Sequence, residues 1–233
     1  MSEEYNKLFE YFKTFPGIGK RQAERFVFHI LTKDQYWVDN FTNEIKKAKE
    51  FVKECTECCR VFRNRYGEKF EQCDICRSGV RDRSVLAVVE KNIDADVMLK
   101  KGSWTGLVFV LGGQLQVIEK KNAPNIHLEQ LLQFVKKNSP PFKKEGLTEI
   151  VLCMSLNPDG VFTASVLQQK IREFIETENE FIKENNLLKN QNTNLISIKI
   201  TTFGRGFSTG TELEYADKET LQNALRNRTE NIN

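Results

Sequence analysis

Four cysteines arranged as two CxxC pairs constrain this chain more than any other feature of its sequence. Cys55 and Cys58 form the first pair, and Cys73 and Cys76 form the second after fourteen intervening residues. Each pair offers two thiolates at the separation that one metal ion spans, and four thiolates complete the tetrahedral set that suits Zn²⁺. Because such a set leaves no open position, we expect one structural Zn²⁺ per chain. The alternative is that the four are buried free thiols.

The compartment and the partners are constrained by the other cysteines and by the charge. Five of the six cysteines lie between residues 55 and 76, which favours a metal over disulfides in a reducing cytoplasm. Cys59 is predicted to be a bystander, and Cys153, inside an apolar run, a core residue. No apolar run approaches the ~18 residues that span a bilayer, so we expect a cytoplasmic protein with no membrane contact. With 35 Lys and Arg against 32 Asp and Glu, any DNA-binding signal must be local.

A glycine-containing hairpin between two helical patterns supplies that local signal. The first 53 residues show helical spacing of apolar side chains, interrupted by FPGIG at residues 15–19. Glycines allow the backbone to approach a phosphate, and the N-terminus of the following helix favours an anion. Lys20, Arg21 and Arg25 follow, so the pattern predicts a helix-hairpin-helix that neutralises DNA phosphates without reading sequence. The alternative is a plain corner between helices with solvated charges.

The pattern changes to α/β after residue 85. Short apolar runs at 85–89, 107–111, 150–154 and 196–200 alternate with helical patterns at 94–100, 128–137 and 163–175. This alternation predicts a mainly parallel sheet covered on both faces. The polar stretch 178–194 is either a solvated continuation of the preceding helix or a loose insertion.

Acidic residues follow two of the predicted strands. Glu90 comes directly after the first apolar run, Asp94 lies one turn later, and Asp159 follows the run at 150–154. The carboxyl ends of strands in an open α/β sheet are where ligands and metals bind. Mg²⁺-dependent phosphoryl chemistry usually requires several converging carboxylates. The second strand is followed by only one, so the set is smaller than such chemistry usually needs.

The ordered motifs resemble those of the RecR family of recombination mediators from about residue 5 to about residue 226. They are FPGIG at 15–19, the cysteine ribbon running into RD at 81–82, VVE at 88–90, VLGG at 110–113, NP at 157–158, GRG at 204–206 and LEYAD at 213–217. The resemblance implies a multidomain α+β protein. Its expected domains are a helix-hairpin-helix at 1–53, a four-cysteine zinc ribbon at 54–80, a Toprim domain at 81–178 with an insert at 179–194, and a Walker B-like segment at 195–233.

The resemblance also implies a function. It implies a clamp subunit that joins RecO, and in many bacteria RecF, to load RecA onto single-stranded DNA. It also implies a homo-oligomer, either a dimer or a tetrameric ring. The basic DNA-contacting positions of the family fall on Arg21 and Arg25, and its Toprim acids fall on Glu90, Asp94 and Asp159. No catalytic residue is implied.

The sequence departs from the family pattern at several positions. An apolar residue near Val161 replaces a family Glu, residues 122–127 lack the usual glycines, and Phe207 and Ser208 stand where a Pro is usual. These departures argue against a Mg²⁺ site. A Toprim nuclease or primase that uses the three acids with Mg²⁺ is one alternative function, and a zinc-ribbon regulator that reads DNA or protein directly is another.

Overall fold

A computed structural model describes most of the chain, which divides into two compact units. The units are Met1–Lys53 with Arg63–Glu68, and Glu54–Phe62 with Lys69–Asn233. The described residues are 2–15, 17–64, 69–100, 102, 104–117, 126–140, 142–143, 146–189, 195–203, 218, 220 and 222–223, with side chains of 185–189 excepted. The division into four domains, with boundaries after 53, 80 and 194, stays a prediction.

The first unit is helical. It contains α1 (Glu3–Lys13), α2 (Lys20–Leu31) and α3 (Gln35–Phe51). The Ser2 hydroxyl accepts the Tyr5 backbone N–H at 3.3 Å, and the Asp34 carboxylate accepts that of Trp37 at 2.8 Å. These caps satisfy amides that have no partner inside α1 and α3.

The core of this unit is small and largely aromatic. Ala23 and Val27 are its fully buried residues among those described, and both lie on one stripe of α2. The rings of Phe12 in α1 and Phe26 in α2 lie 5.5 Å apart, within the range of favourable aromatic contact. The helical start predicted from apolar spacing is confirmed.

After α3 the chain forms a ribbon, which is followed by an α/β fold. Short elements come first, namely β1 (Val52–Glu54), β2 (Val61–Arg63) and α4 (Asp74–Arg77). They are followed by β3 (Asp82–Val89), α5 (Asn92–Lys100), β4 (Gly106–Val110), α6 (Leu128–Lys137), β5 (Glu149–Cys153), α7 (Pro158–Lys189) and β6 (Lys199–Thr202). β1 and β2 pair with each other, and the other four strands form a parallel sheet in the order β4-β3-β5-β6. The predicted parallel sheet is confirmed.

Both faces of the central strand β3 are buried in its second half, which explains the unbroken apolar run at residues 85–89. Leu86 and Val88 belong to a large cluster that includes residues of α6 and α7. Ala87 and Val89 belong to a second cluster with Ala95 of α5. Successive side chains of a strand point to opposite faces, so a strand with helices on both sides needs apolar residues at every position.

The last long helix is longer than its apolar pattern predicted. The Asn157 side chain accepts the Gly160 backbone N–H at 2.7 Å, so α7 begins at Pro158 rather than at residue 163. Asn is a favoured N-cap, and Pro is favoured at the first helical position. The helix continues to Lys189, so the polar stretch that follows residue 178 extends it. Residues 190–194 of that stretch lie outside the described residues.

The last strand begins later than predicted, at Lys199 rather than at Ile196. The Asn179 side chain of α7 accepts the Ile196 N–H at 2.7 Å and donates to its carbonyl oxygen at 2.9 Å. Because both backbone groups of Ile196 are thus bonded to a side chain, strand pairing starts only beyond this point. The Walker B-like motifs at 204–206 and 213–217 lie outside the described residues.

None of the helices in the described part of the chain combines the length and apolar character needed to cross a membrane.

Candidate metal centre and nucleic-acid interface

The structure brings the sulfur atoms of Cys55, Cys58, Cys73 and Cys76 together. All four lie within 4.8 Å of one another, and those of Cys58 and Cys73 are 3.6 Å apart. A tetrahedral Zn²⁺ with Zn–S bonds of about 2.3 Å holds its sulfurs about 3.8 Å apart. The chemistry of the donors and their spacing therefore fit a metal ion such as zinc.

Backbone amides hold the cysteines in this arrangement. The Cys59 N–H bonds the Cys55 carbonyl at 3.0 Å and the Arg77 N–H bonds the Cys73 carbonyl at 3.1 Å, so each pair sits in its own tight turn. The Cys73 N–H donates to the Cys55 sulfur at 3.2 Å, which links the two turns. An amide that points at sulfur favours the thiolate, the form that binds metal.

The thiols of the cluster do not ionise alike. Hydrogen bonds from Cys58, then Cys73 and Cys76, lower the pKa of the Cys55 thiol. Hydrogen bonding to Cys55 and burial raise the pKa of Cys58. A bound divalent cation deprotonates the thiols that coordinate it, so the cluster reaches its full thiolate charge only with a metal.

The remaining cysteines, Cys59 and Cys153, are both buried, and burial was expected of Cys153 as a core residue. Burial raises the pKa of Cys153 to about 12, with a further contribution from Asp94. Cys59 is buried as well, and burial, then Glu54 and Cys55, raises its pKa to about 11. At these pKa values both thiols are protonated at neutral pH as long as no metal binds them.

The hairpin before α2 exposes cations and open backbone together. Gly17 has a φ of 76°, in the left-handed region that favours glycine, and Gly19 caps α2 without a side-chain hydrogen bond. A Cβ at either glycine would meet no atom within 4 Å. Lys20, Arg21 and Arg25 are all exposed, and none of them belongs to an ion pair among the described residues. Pro16 of the FPGIG motif lies outside the described residues.

The arginines of the ribbon are differently placed. Arg60 bonds the carboxylates of Asp74 at 2.8 Å and Asp96 at 3.3 Å, and only 14% of its side chain is exposed. Arg77 lies over the Phe70 ring at 3.4 Å from its centroid. Arg60 therefore stabilises the fold and is not free to contact DNA.

The three predicted Toprim acids are each used by the fold around them. Buried Glu90 accepts hydrogen bonds at one carboxylate oxygen from Gln114 at 2.7 Å and from the Ser155 N–H, and at the other from the Ser155 hydroxyl at 2.9 Å. The Asp94 carboxylate accepts the Lys91 N–H at 2.9 Å and caps its own helix.

Asp159 has a similar structural role. Its carboxylate accepts the Val117 N–H at 3.1 Å, which ties α7 to the segment after β4. Among the described residues, the three acids are not one of the groups whose donor atoms lie within 4.8 Å of one another. Glu90 thus lies directly after the end of β3 and Asp159 in the first turn of α7, and the three acids form no common cluster among the described residues.

Known proteins resemble this chain along most of its length. One family model, described as RecR, helix-hairpin-helix, matches residues 5–49, and another, described as RecR, C-terminal, matches residues 208–229. Recombination protein RecR of Staphylococcus aureus (strain JH9) is 29% identical over 98% of this chain and 98% of its own length. Proteins of the same name from Rubrobacter xylanophilus, at 29%, and Endomicrobium trichonymphae, at 28%, align over 92% and 94% of this chain and over 90% and 92% of their own lengths.

Proposed function

This chain belongs to the RecR family, and we propose on that basis that it acts in recombinational DNA repair as a DNA-binding subunit that catalyses no reaction itself. In this role it acts in the cytoplasm with RecO, and with RecF where that partner occurs, to load RecA onto single-stranded DNA. The observation that carries the proposal is the hairpin before α2. There the exposed side chains of Lys20, Arg21 and Arg25 lie next to the uncapped backbone amides at the start of the helix.

The hairpin has the properties of a phosphate site. The first amides of a helix have no partner inside it, and the helix dipole favours an anion there. Because Gly19 caps α2 without a side chain, no protein oxygen competes for these amides from the cap position. Lys20 and Arg21 begin the helix and Arg25 follows one turn later, on the same face as Arg21. Such contacts bind DNA of any sequence.

We propose one structural Zn²⁺ per chain, held by the four cysteines of the ribbon. The four-thiolate set leaves no position for substrate, and the ribbon has little core of its own, so the metal contributes to folding. Elemental analysis of protein purified without chelators tests this. We expect one zinc per chain at least, and Cys73→Ser should lower the yield of folded protein.

We propose that Glu90, Asp94 and Asp159 support assembly and partner contacts rather than Mg²⁺ chemistry. The Glu90 carboxylate already accepts three hydrogen bonds from protein groups, and Asp94 and Asp159 each accept a backbone amide. A nuclease or primase would require these oxygens for metal. DNA cleavage that depends on Mg²⁺ or Mn²⁺ and is lost in Glu90→Gln would contradict the proposal.

We also propose that the protein works as a homo-oligomer, a dimer or a tetrameric ring. Large apolar side chains are exposed on the first unit, and exposed apolar surface often marks a contact with another protein. They are Tyr11, Phe15, Phe28, Leu31 and Tyr36. Several copies that present the same hairpin to one DNA molecule gain avidity without new contacts. Light scattering with and without DNA distinguishes the monomer, the dimer and the ring.

A loading assay tests the function as a whole. Single-stranded DNA coated with single-strand-binding protein is incubated with RecA and RecO, and the rate of RecA assembly is measured with and without this protein. We expect acceleration by the wild type, little by Arg21→Ala/Arg25→Ala, and full acceleration by the control Lys46→Ala/Lys49→Ala, whose lysines are exposed on α3. No acceleration by folded, zinc-loaded wild type would contradict the mediator role.

A further inference from the structure

A second group of metal-binding side chains lies beside the four-cysteine cluster. Glu54 ends β1, Cys59 follows the first CxxC pair, and His127 precedes α6, yet their donor atoms all lie within 4.8 Å of one another. Residues 54 and 127 are far apart in the chain, so the group is a product of the tertiary fold.

The end of β4 fixes the positions of two of these residues. The Val110 N–H bonds the Cys58 carbonyl at 2.9 Å, which anchors the turn that carries Cys59. The His127 N–H bonds the carbonyl of Leu111, the next residue, at 2.8 Å. Cys59 and His127 are therefore held against the same strand end by backbone bonds, independently of their side chains.

The orientation of the His127 ring suits a metal ligand. Its Nδ1 lies 3.1 Å from the Val110 carbonyl oxygen. A carbonyl oxygen only accepts, so Nδ1 carries the proton, and Nε2 of the neutral ring presents its lone pair. Histidines that bind metals commonly donate their other ring N–H to a carbonyl or carboxylate in this way.

The separations of the donor atoms suit an ion held between them. Nε2 is 3.8 Å from the Glu54 carboxylate oxygen, too far for a direct hydrogen bond. The third donor is the Cys59 sulfur. Cys59 is only 5% exposed, whereas 56% of the Glu54 side chain is exposed. The group therefore has a buried sulfur at one side and solvent at the other.

We propose that Glu54, Cys59 and His127 form a second metal site, separate from the four-cysteine site, that takes a divalent transition metal such as Zn²⁺. Imidazole, thiolate and carboxylate are all zinc ligands. Three protein ligands leave a fourth position for water, which can reach the ion from the exposed side at Glu54. Binding forms a sulfur–metal bond at Cys59, and the thiol proton leaves to solvent. The metal would cross-link the ribbon to the segment that begins α6.

Zinc stoichiometry tests the site in the untagged, full-length protein. Protein is dialysed against buffered Zn²⁺, and bound zinc per chain is measured by elemental analysis, with circular dichroism as a check of folding. We expect two zinc ions in the wild type and one in His127→Ala and in Cys59→Ser. The matched controls are His29→Ala, which alters the other histidine of the chain, and Cys153→Ser, which alters another buried cysteine, and both should keep two.

Two further variants make the outcome decisive. Glu54 is exposed, so Glu54→Ala should fold, and we expect it to lose one zinc. Cadmium NMR should show two resonances, of which His127→Ala removes one and Cys73→Ser affects the other. One zinc in the wild type, or two in folded His127→Ala or Glu54→Ala, would overturn the second site. If the wild type binds a single zinc and Cys73→Ser loses it, the proposal of a four-cysteine site stands and only the second site is refuted.

Discussion

Removing the two hairpin arginines should change the salt dependence of DNA binding by an amount that can be calculated. Arg21 and Arg25 lie four residues apart on α2, which places them on one face about 6 Å apart along the axis. Each phosphate neutralised contributes a slope of about −0.9 for duplex DNA and about −0.7 for single strands to the plot of log affinity against log salt. If both arginines contact phosphates, Arg21→Ala/Arg25→Ala should reduce the slope by about 1.8 or about 1.4 per engaged subunit.

The change in slope corresponds to a measurable difference in affinity. Between 50 and 200 mM salt, roughly the range of such assays, the wild type should lose about 7-fold more affinity than the variant on single strands and about 12-fold more on duplex. Fluorescence anisotropy with labelled oligonucleotides of both kinds measures these values. Because an oligomer engages several hairpins, the figures are lower bounds for an assembled ring.

Controls separate a lost contact from a lost fold. Lys46→Ala/Lys49→Ala removes the same charge from exposed positions of α3 and should leave the slope unchanged. Zinc content and molar mass should equal those of the wild type in both double variants. If Arg21→Ala/Arg25→Ala binds DNA with the wild-type affinity and slope, the hairpin is only a helix corner. The DNA surface would then lie elsewhere, with Arg63 of the ribbon as the first candidate because it is exposed.

Three further predictions concern the α/β fold. Glu90→Ala should lower the free energy of unfolding, measured by urea denaturation, by about 2–3 kcal/mol, because it leaves the Ser155 N–H without an acceptor. Glu90→Gln should lower it less, because the amide oxygen of Gln still accepts a hydrogen bond. Gly106→Ala places a Cβ 2.7 Å from a carbonyl oxygen of β3 and should cost about 1–3 kcal/mol, whereas Gly79→Ala, whose Cβ meets no atom within 4 Å, should be almost neutral. Cys153, with a pKa of about 12 against an ordinary 9.0, should alkylate at pH near 8 about a thousandfold more slowly in native than in unfolded protein, at a rate that rises with pH, as peptide mapping can measure.

Local patterns accounted for much of the fold. The bounds predicted for α6, residues 128–137, are those observed, because its apolar stripe is strong and the surrounding chain is not apolar. The predicted start of β6 was wrong by three residues, and that of α7 was wrong by five. In each case an asparagine side chain bonds backbone groups, Asn179 at Ile196 and Asn157 at Gly160, and no apolar period reveals such a bond.

The sequence by itself determined the cysteine cluster. Each CxxC pair places two thiols close together through its spacing alone, and two such pairs complete a four-thiol set. It also determined the parallel sheet, because a strand buried on both faces requires an unbroken apolar run. Only the tertiary structure decided which polar groups share a site. The Glu90 carboxylate accepts hydrogen bonds from Ser155, whereas Asp159 accepts one from a different segment, the Val117 N–H. The fold also placed His127 beside Cys59, which had been predicted to be a bystander. Such contacts join residues that are distant in the chain, and they follow from how strands end and helices begin in space, which no spacing along the sequence encodes.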